Sequence, residues 1–177
     1  TVSDNVTFTE ANTLNGHTSG VVTATLSTTA IDDLDNLDGT NNAYTITVGT
    51  AQVNALALNT VKAATTVDVT ATAVTQITGS AAELATAYGG GMTLGNDLTL
   101  VLTDTSLAAA TLTPTVNGYS TATVNATSVT ELTGTNAEIV AAYAADTATT
   151  VNLDGDVKLT VSDNVTFTEA NTLNGHT

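Results

Sequence analysis

Residues 1–18 read TVSDNVTFTEANTLNGHT, and residues 160–177 read TVSDNVTFTEANTLNGHT again without a mismatch. The two copies start 159 residues apart, since Thr1 corresponds to Thr160. An identity of this length does not arise by chance. The chain therefore holds one full period of a tandem repeat and the first residues of the next period. Repeat arrays build length, so we expect a structural, surface or adhesive protein and not an enzyme.

A second, weaker repeat lies inside this period. Residues 69–84 align with residues 124–139 at an offset of 55, and Tyr88 then aligns with Tyr143. A more degenerate copy begins at Val21. The period over residues 1–159 is thus predicted to contain three unequal subunits of roughly 53 residues. Their approximate bounds are 1–46, 47–100 and 101–159, and residues 160–177 begin the next repeat.

Each subunit alternates between strand signals and helix-start signals. Val22, Ala24 and Leu26 are separated by threonines, and this period of two places aliphatic side chains on one face of a strand. Between strands, a hydroxyl residue is followed three positions later by an acid, which is the capping-box pattern of a helix N-terminus. The predicted pairs are Thr7/Glu10, Thr29/Asp32, Ser80/Glu83, Thr135/Glu138 and Thr166/Glu169.

These repeating units predict a mainly β fold. We expect a right-handed parallel β-solenoid with short turn-helices between its strands, because strands joined by such crossovers pair in parallel and wind right-handed. An array of β-sandwich domains is the alternative. It would need more hairpin turns than the three Asn-Gly pairs of the sequence supply.

The composition excludes several function classes. The formal net charge is −15 and the only basic side chains are Lys62 and Lys158, so nucleic-acid binding is excluded and an anionic membrane surface is disfavoured. No cysteine is present, and no apolar run approaches transmembrane length. An acidic, threonine-rich, cysteine-free chain is typical of a bacterial exported surface protein, which predicts an extracellular or cell-surface location.

The stretches LTVSDNVTFTEANTLNG, VVTATLS, VTQITGSAAELATAY and VTELTGTNAEIVAAY resemble the repeat regions of giant bacterial cell-surface proteins. These are the β-strand-repeat proteins of cyanobacteria and other aquatic bacteria, and the resemblance covers essentially the whole chain. It implies an extracellular filament, sheath, surface layer or adhesin stalk that assembles by end-to-end stacking of coils. The implied partners are further copies of the same chain, linked covalently or head to tail. No site residues carry over from it.

The sequence offers one candidate metal site. Calcium takes six to eight oxygen ligands, and residues 32–39 (DDLDNLDG) are rich in carboxylates. The candidate ligands are Asp32, Asp33, Asp35 and Asp38. A surface helix with Ile31, Leu34 and Leu37 facing inward explains the same spacing without a metal. We therefore expect no cofactor, or weak calcium binding at most.

Threonine triplets on the strands support an alternative function. They occur at residues 23–25, 45–47, 70–72 and 121–123, each with threonines flanking one aliphatic residue. Stacked in a solenoid, they would form a flat threonine array of the type that binds ice. A binding module, either this array or a surface adhesin, is the alternative to a purely structural repeat. Threonine is also simply a soluble strand former.

Overall fold

A computed structural model describes residues 1–176. Its helices are α1 Phe8–Gly16, α2 Ile31–Leu34, α3 Ala55–Ala63, α4 Ala81–Tyr88, α5 Asn136–Thr147 and α6 Phe167–Asn174. Its strands are β1 Thr23–Thr25, β2 Ala43–Thr45, β3 Gln52–Asn54, β4 Val69–Ala71, β5 Gln76–Gly79, β6 Met92–Leu94, β7 Thr99–Leu102, β8 Ser106–Ala108, β9 Val124–Ala126, β10 Glu131–Gly134, β11 Val151–Leu153 and β12 Lys158–Val161. A π-helical turn at Thr111–Thr115 leads into a 3-10 turn at Val116–Tyr119.

The prediction of a mainly β solenoid is wrong. The chain is a mixed α/β protein with 35% helix and 26% strand, arranged in several small parallel sheets without a closed solenoid. The error lies in the connections between strands. They were expected to be short turn-helices that contribute little to a mainly β fold, but the five helices other than α2 have eight to twelve residues. Alanine-rich stretches such as α5 have a high helix propensity, whereas the strands have only three or four residues each.

The chain divides into two compact units. The first comprises residues 1–77 and 85–95, and the second comprises residues 78–84 and 96–177. Elements β5 and α4 contain residues of both units. The three subunits inferred from the sequence period stay a prediction.

The first unit is built on short parallel pairs. Strand β1 pairs with β2, with Thr23 opposite Ala43, and β4 pairs with β6, with Val69 opposite Met92. Each threonine of β1 is exposed, while Ala24 between them is buried. The core is aliphatic, with Leu34, Ile46 and Leu58 fully buried. Tyr44 on β2 is the bulkiest fully buried side chain among the described residues.

The second unit contains two sets of parallel strands. Strand β10 lies between β8 and β12, with Leu132 opposite both Leu107 and Leu159. Strand β9 lies between β7 and β11, with Val124 opposite Val151. Paired strands are separated by a helix or turn, which parallel pairing requires. The parallel pairing expected from the sequence is therefore confirmed here, although the closed solenoid is not.

Four of the five predicted capping boxes are present. In each, the hydroxyl accepts the N–H of the acid three residues later, and the acid accepts the N–H of the cap; the pairs are Thr7/Glu10, Ser80/Glu83, Thr135/Glu138 and Thr166/Glu169. The Thr29/Asp32 box is wrong. Helix α2 begins at Ile31, after Ala30, and the Ile31 N–H donates to the Thr50 hydroxyl at 3.0 Å.

Removing one of these caps should weaken its helix measurably. We expect Thr135→Ala to lower the free energy of unfolding by about 1 kcal/mol, because the N-cap bond to the Glu138 N–H is lost. Thr135→Ser keeps the hydroxyl and serves as the control. Urea denaturation followed by circular dichroism measures both changes. Equal midpoints for the alanine and serine variants would contradict the assigned cap.

Candidate assembly site

The repeated segment begins its helix in the same way in both positions. We call residues 1–18 copy 1 and residues 160–177 copy 2, of which residues 160–176 are described. Helix α1 starts after Thr7, whose φ and ψ are −74° and 164°, and α6 starts after Thr166 at −73° and 164°. The two capping boxes are also the same, so residues 7–10 and 166–169 have the same local structure. The helices end differently, since α1 extends to Gly16 whereas α6 ends at Asn174.

Copy 1 is held by residues that follow it in the chain. The Val6 N–H donates to the Thr25 carbonyl oxygen at 2.9 Å, and the Ser27 N–H donates back to the Val6 carbonyl oxygen at 2.8 Å. The Phe8 N–H donates to the Thr28 hydroxyl at 3.1 Å. The extended part of copy 1 is thus joined to Thr25 and Ser27 by main-chain bonds that depend little on side-chain identity, and to Thr28 through its hydroxyl.

Side-chain bonds continue this attachment along helix α1. The Asn12 amide donates to the Asn36 carbonyl oxygen and accepts the Asp38 N–H, both at 2.8 Å. The buried Asn42 donates to the Asn15 side-chain oxygen at 2.9 Å and accepts the Val22 N–H at 3.0 Å. Asn12 and Asn42 each use a donor and an acceptor of the side-chain amide. Their bonds join helix α1 to residues 36–42, which fixes the position of the helix along this part of the chain.

Copy 2 is held by residues that precede it. Strand β12 pairs with β10, and the Ser162 N–H donates to the Gly134 carbonyl oxygen at 2.8 Å. Asn136 donates its N–H to Asp163 at 2.8 Å and its amide to Glu169 at 3.2 Å. The His176 ring stacks on Tyr143, with centroids 4.3 Å apart and planes 11° from parallel. Copy 2 is therefore anchored on β10 and α5.

The two copies bury opposite faces of the same segment. Val6 is 7% exposed and Ala11 is fully buried, whereas their counterparts Val165 and Ala170 are half-buried and exposed. The reverse holds for three other positions: Glu169, Leu173 and His176 are more buried than Glu10, Leu14 and His17. The residues that follow copy 1 cover one face of the segment, and the residues that precede copy 2 cover the other.

An open apolar groove marks the uncovered face of copy 2. It has a volume of about 560 Å³ and lies between β12 and α6. Val161, Val165 and Ala170 line its open side, and the buried Val157 and Leu173 form its base. Phe167 is 82% exposed, the highest value among the large exposed apolar residues described. Its counterpart Phe8 in copy 1 is half-buried. A cluster of uncovered aliphatic and aromatic residues is typical of an interaction surface.

One ion pair lies beside copy 2. The Lys158 ammonium contacts Glu131 at 2.8 Å, and the Thr160 hydroxyl donates to the same carboxylate oxygen at 2.8 Å. The pKa of Glu131 is lowered chiefly by the hydrogen bond from Lys158. The hydrogen bond from Thr160 and the positive charge of Lys158 lower it further. The capping bonds of Thr7 and Thr166 lower the pKa values of Glu10 and Glu169 in the same direction.

These depressed pKa values predict acid sensitivity. A carboxyl whose pKa is lower in the folded than in the unfolded chain stabilises the fold above its unfolded pKa, and this contribution is lost as the pH falls through the folded value. We expect Glu131→Gln to lower the melting temperature at pH 7 and to have a smaller effect at pH 3, because pH 3 lies below the ordinary pKa of a glutamate and the stability that ionised Glu131 contributes is already reduced there. Calorimetric melting at both pH values measures this. An equal effect at pH 7 and pH 3 would contradict the assignment.

The candidate calcium ligands do not form a cluster. Asp32 and Asp33 lie in the first turn of α2, Asp35 follows its last residue, and the Asp38 N–H bonds to Asn12. Within residues 1–176, no three His, Asp or Glu side chains are grouped as a metal site. The aliphatic residues Ile31, Leu34 and Leu37 are buried, as the surface-helix interpretation of the same spacing expects.

Weak calcium binding at Asp32, Asp33, Asp35 and Asp38 stays a prediction. Because the acids are not grouped, we expect calcium to change the melting temperature only slightly. Melting curves with calcium and with a chelator test this. Magnesium at the same concentration is the control, because any divalent cation screens the repulsion between the carboxylates of an acidic chain. A large loss of thermal stability on chelation would show that these carboxylates gather around the ion.

The predicted threonine triplets form short exposed rows in the first unit. Thr25 lies opposite Thr45, and Thr70 lies opposite Thr47 on one side and Thr93 on the other. Ala24 and Ile46, between flanking threonines, are buried as the alternation predicts. Ice binding by these rows stays a prediction.

Comparison with known proteins finds no matching family model, no matching curated protein and no matching solved structure. Among the described residues, no helix is long and apolar enough to cross a membrane.

Sequence reasoning missed two buried polar residues of the first unit. They are Asn42 and Thr65, the buried polar residues among those described. Asn42 bonds to Asn15 of copy 1 and accepts the Val22 N–H. The Thr65 hydroxyl accepts the Tyr44 N–H and donates to the Tyr44 carbonyl oxygen. In a sequence rich in threonine and asparagine, composition does not distinguish these two from their exposed neighbours.

Proposed function

We propose that the chain is a structural repeat of an extracellular filament, sheath, surface layer or adhesin stalk, and that it has no enzymatic role. In this proposal further copies of the repeat are its partners and associate end to end. One observation carries the proposal: the same 18-residue segment begins the period and begins the next one, and it buries opposite faces in its two positions. Such a segment is suited to join one period to the next.

Composition supports the extracellular part of the proposal. A net charge of −15 keeps an array soluble through mutual repulsion, and the absence of cysteine makes the chain independent of redox conditions. The resemblance to bacterial cell-surface repeat proteins, based on the stretches quoted above, points to the same setting.

Imaging of concatenated repeats tests the structural role. Proteins with two, four and six periods would be compared by negative-stain electron microscopy. We expect particles whose end-to-end length rises by a constant increment with each added period. Particles in which neighbouring periods take random relative positions would contradict a continuous structural array.

A binding module is the alternative, and the exposed threonine rows favour it as an ice-binding surface. Thermal hysteresis of the chain tests this role directly. Replacing exposed Thr47 and Thr70 by lysine would abolish ice binding but leave array formation intact. Strong hysteresis that depends on these threonines would make ice binding the primary function.

A further inference from the structure

We infer that the repeated segment is a two-sided junction, and that the groove on copy 2 accepts residues 19–48 of the following copy of the repeat. This inference rests on the proposed function and specifies its interface. The occupant is identified because the same 18 residues in copy 1 are already contacted by residues between Thr23 and Tyr44 of the chain. The contacts of copy 1 therefore define how the groove on copy 2 is filled.

The main chain of copy 2 has the groups needed for this attachment. In copy 1 the Val6 N–H and carbonyl oxygen are both bonded, to Thr25 and Ser27. Val165 occupies the same position in copy 2, and no equivalent bonds are present for it within residues 1–176. A following copy would provide these partners as a parallel strand, which continues the arrangement of Val6 beside Leu26.

The side chains of copy 2 present a matching surface. In copy 1 the Tyr44 hydroxyl reaches the Ala11 carbonyl oxygen at 3.4 Å, and Asn12 bonds to residues 36 and 38. Their counterparts, Ala170 and Asn171, are exposed on α6. The uncovered groove thus has the polar and apolar positions that residues 19–48 satisfy in copy 1.

The segment uses largely different residues for its contacts with the preceding and the following parts of the chain. The residues that copy 2 uses toward the preceding part of the chain are Asp163, Glu169 and His176. Those that copy 1 uses toward the following part are Val6, Phe8, Asn12 and Asn15. These two sets occupy different positions of the segment. Only the strand position of Val2 and Val161 is used on both sides, by the Val2 N–H bond to Thr23 in copy 1 and by the pairing of Val161 with Gly134 in copy 2. A single segment can therefore contact the preceding and following repeats at once.

The test extends the full chain by adding a second copy of residues 19–48 after Thr177. A control carries an extension of the same composition in shuffled order. We expect amide hydrogen exchange at Val165 and Phe167 to slow until it matches that of Val6 and Phe8 in the same molecule. Unchanged exchange at Val165, or equal slowing by the shuffled extension, would overturn the inference.

Paired substitutions provide a second readout with an internal reference. In the unextended chain, Val6→Ala and Asn12→Ala should lower the melting temperature more than Val165→Ala and Asn171→Ala. In the extended chain, the members of each pair should become equally destabilising. A Val165→Ala effect that stays small after extension would also overturn the inference.

These experiments separate the inference from the proposed function. If the extension packs on copy 2 but the concatemers show no constant length increment, the junction stands and the structural array is rejected. If the extension does not pack but the concatemers have regular lengths, this junction is rejected and the periods must associate through another interface.

Discussion

Tyr44→Ala is expected to lower the free energy of unfolding of the first unit by about 3–5 kcal/mol, the range for truncating a buried aromatic side chain. Tyr44 is fully buried on β2, in a core otherwise made of aliphatic side chains. Few neighbouring side chains are large enough to fill the cavity, because the core around it consists of Ala, Val, Leu and Ile. The substitution would also remove the contact between Tyr44 and copy 1.

Urea denaturation with hydrogen exchange of first-unit amides measures this loss. Tyr44→Phe is the matched control, because it keeps the ring and removes only the hydroxyl. The hydroxyl bond to Ala11 is long at 3.4 Å, so we expect a cost of at most about 1 kcal/mol for this control. A Tyr44→Ala cost as small as that of the control would show that the ring does not support the core.

Ile139→Ala should have the largest effect in the second unit, about 2–5 kcal/mol. Ile139 is fully buried on α5, the helix that also carries Tyr143 beside copy 2. Its removal leaves a cavity between α5 and the strands it covers. Denaturation midpoints and exchange of second-unit amides provide the measurement.

The adjacent Val140 provides the control for this helix. Val140 is 37% exposed, so Val140→Ala should change stability by no more than about 0.5 kcal/mol. Alanine also has the higher helix propensity, which offsets the lost contacts. Equal costs at positions 139 and 140 would mean that α5 does not pack through the face assigned to it.

Local features were predictable because their causes are local. A threonine and a glutamate three residues apart form a capping box wherever the backbone enters a helix, as at Thr135 and Thr166. Thr29 and Asp32 have the same spacing without forming one: helix α2 begins one residue later, with Ala30 as its N-cap, and its first N–H donates to Thr50 from another part of the chain. Helix α3 was missed for a related reason: its cap is Asn54, without an acid three residues later.

The balance of helix and strand was not predictable from alternation alone. Periodicity identified the buried positions of short strands such as β1 and β9, but not where each strand ends. The length of a three-residue strand depends on the partner beside it and on the helix that follows. The sequence analysis therefore overestimated β structure and missed the π and 3-10 turns between residues 111 and 119.

By itself, the sequence determined the tandem period, the local conformation of the repeated segment and most helix starts, because identical residues with local bonds fold alike. Only the tertiary structure decided the mixed α/β architecture and which face of each copy is buried. Copies 1 and 2 have the same residues, yet Phe8 is half-buried whereas its counterpart Phe167 is 82% exposed. Burial depends on which residues pack against a segment, and no property of the segment's own sequence specifies that.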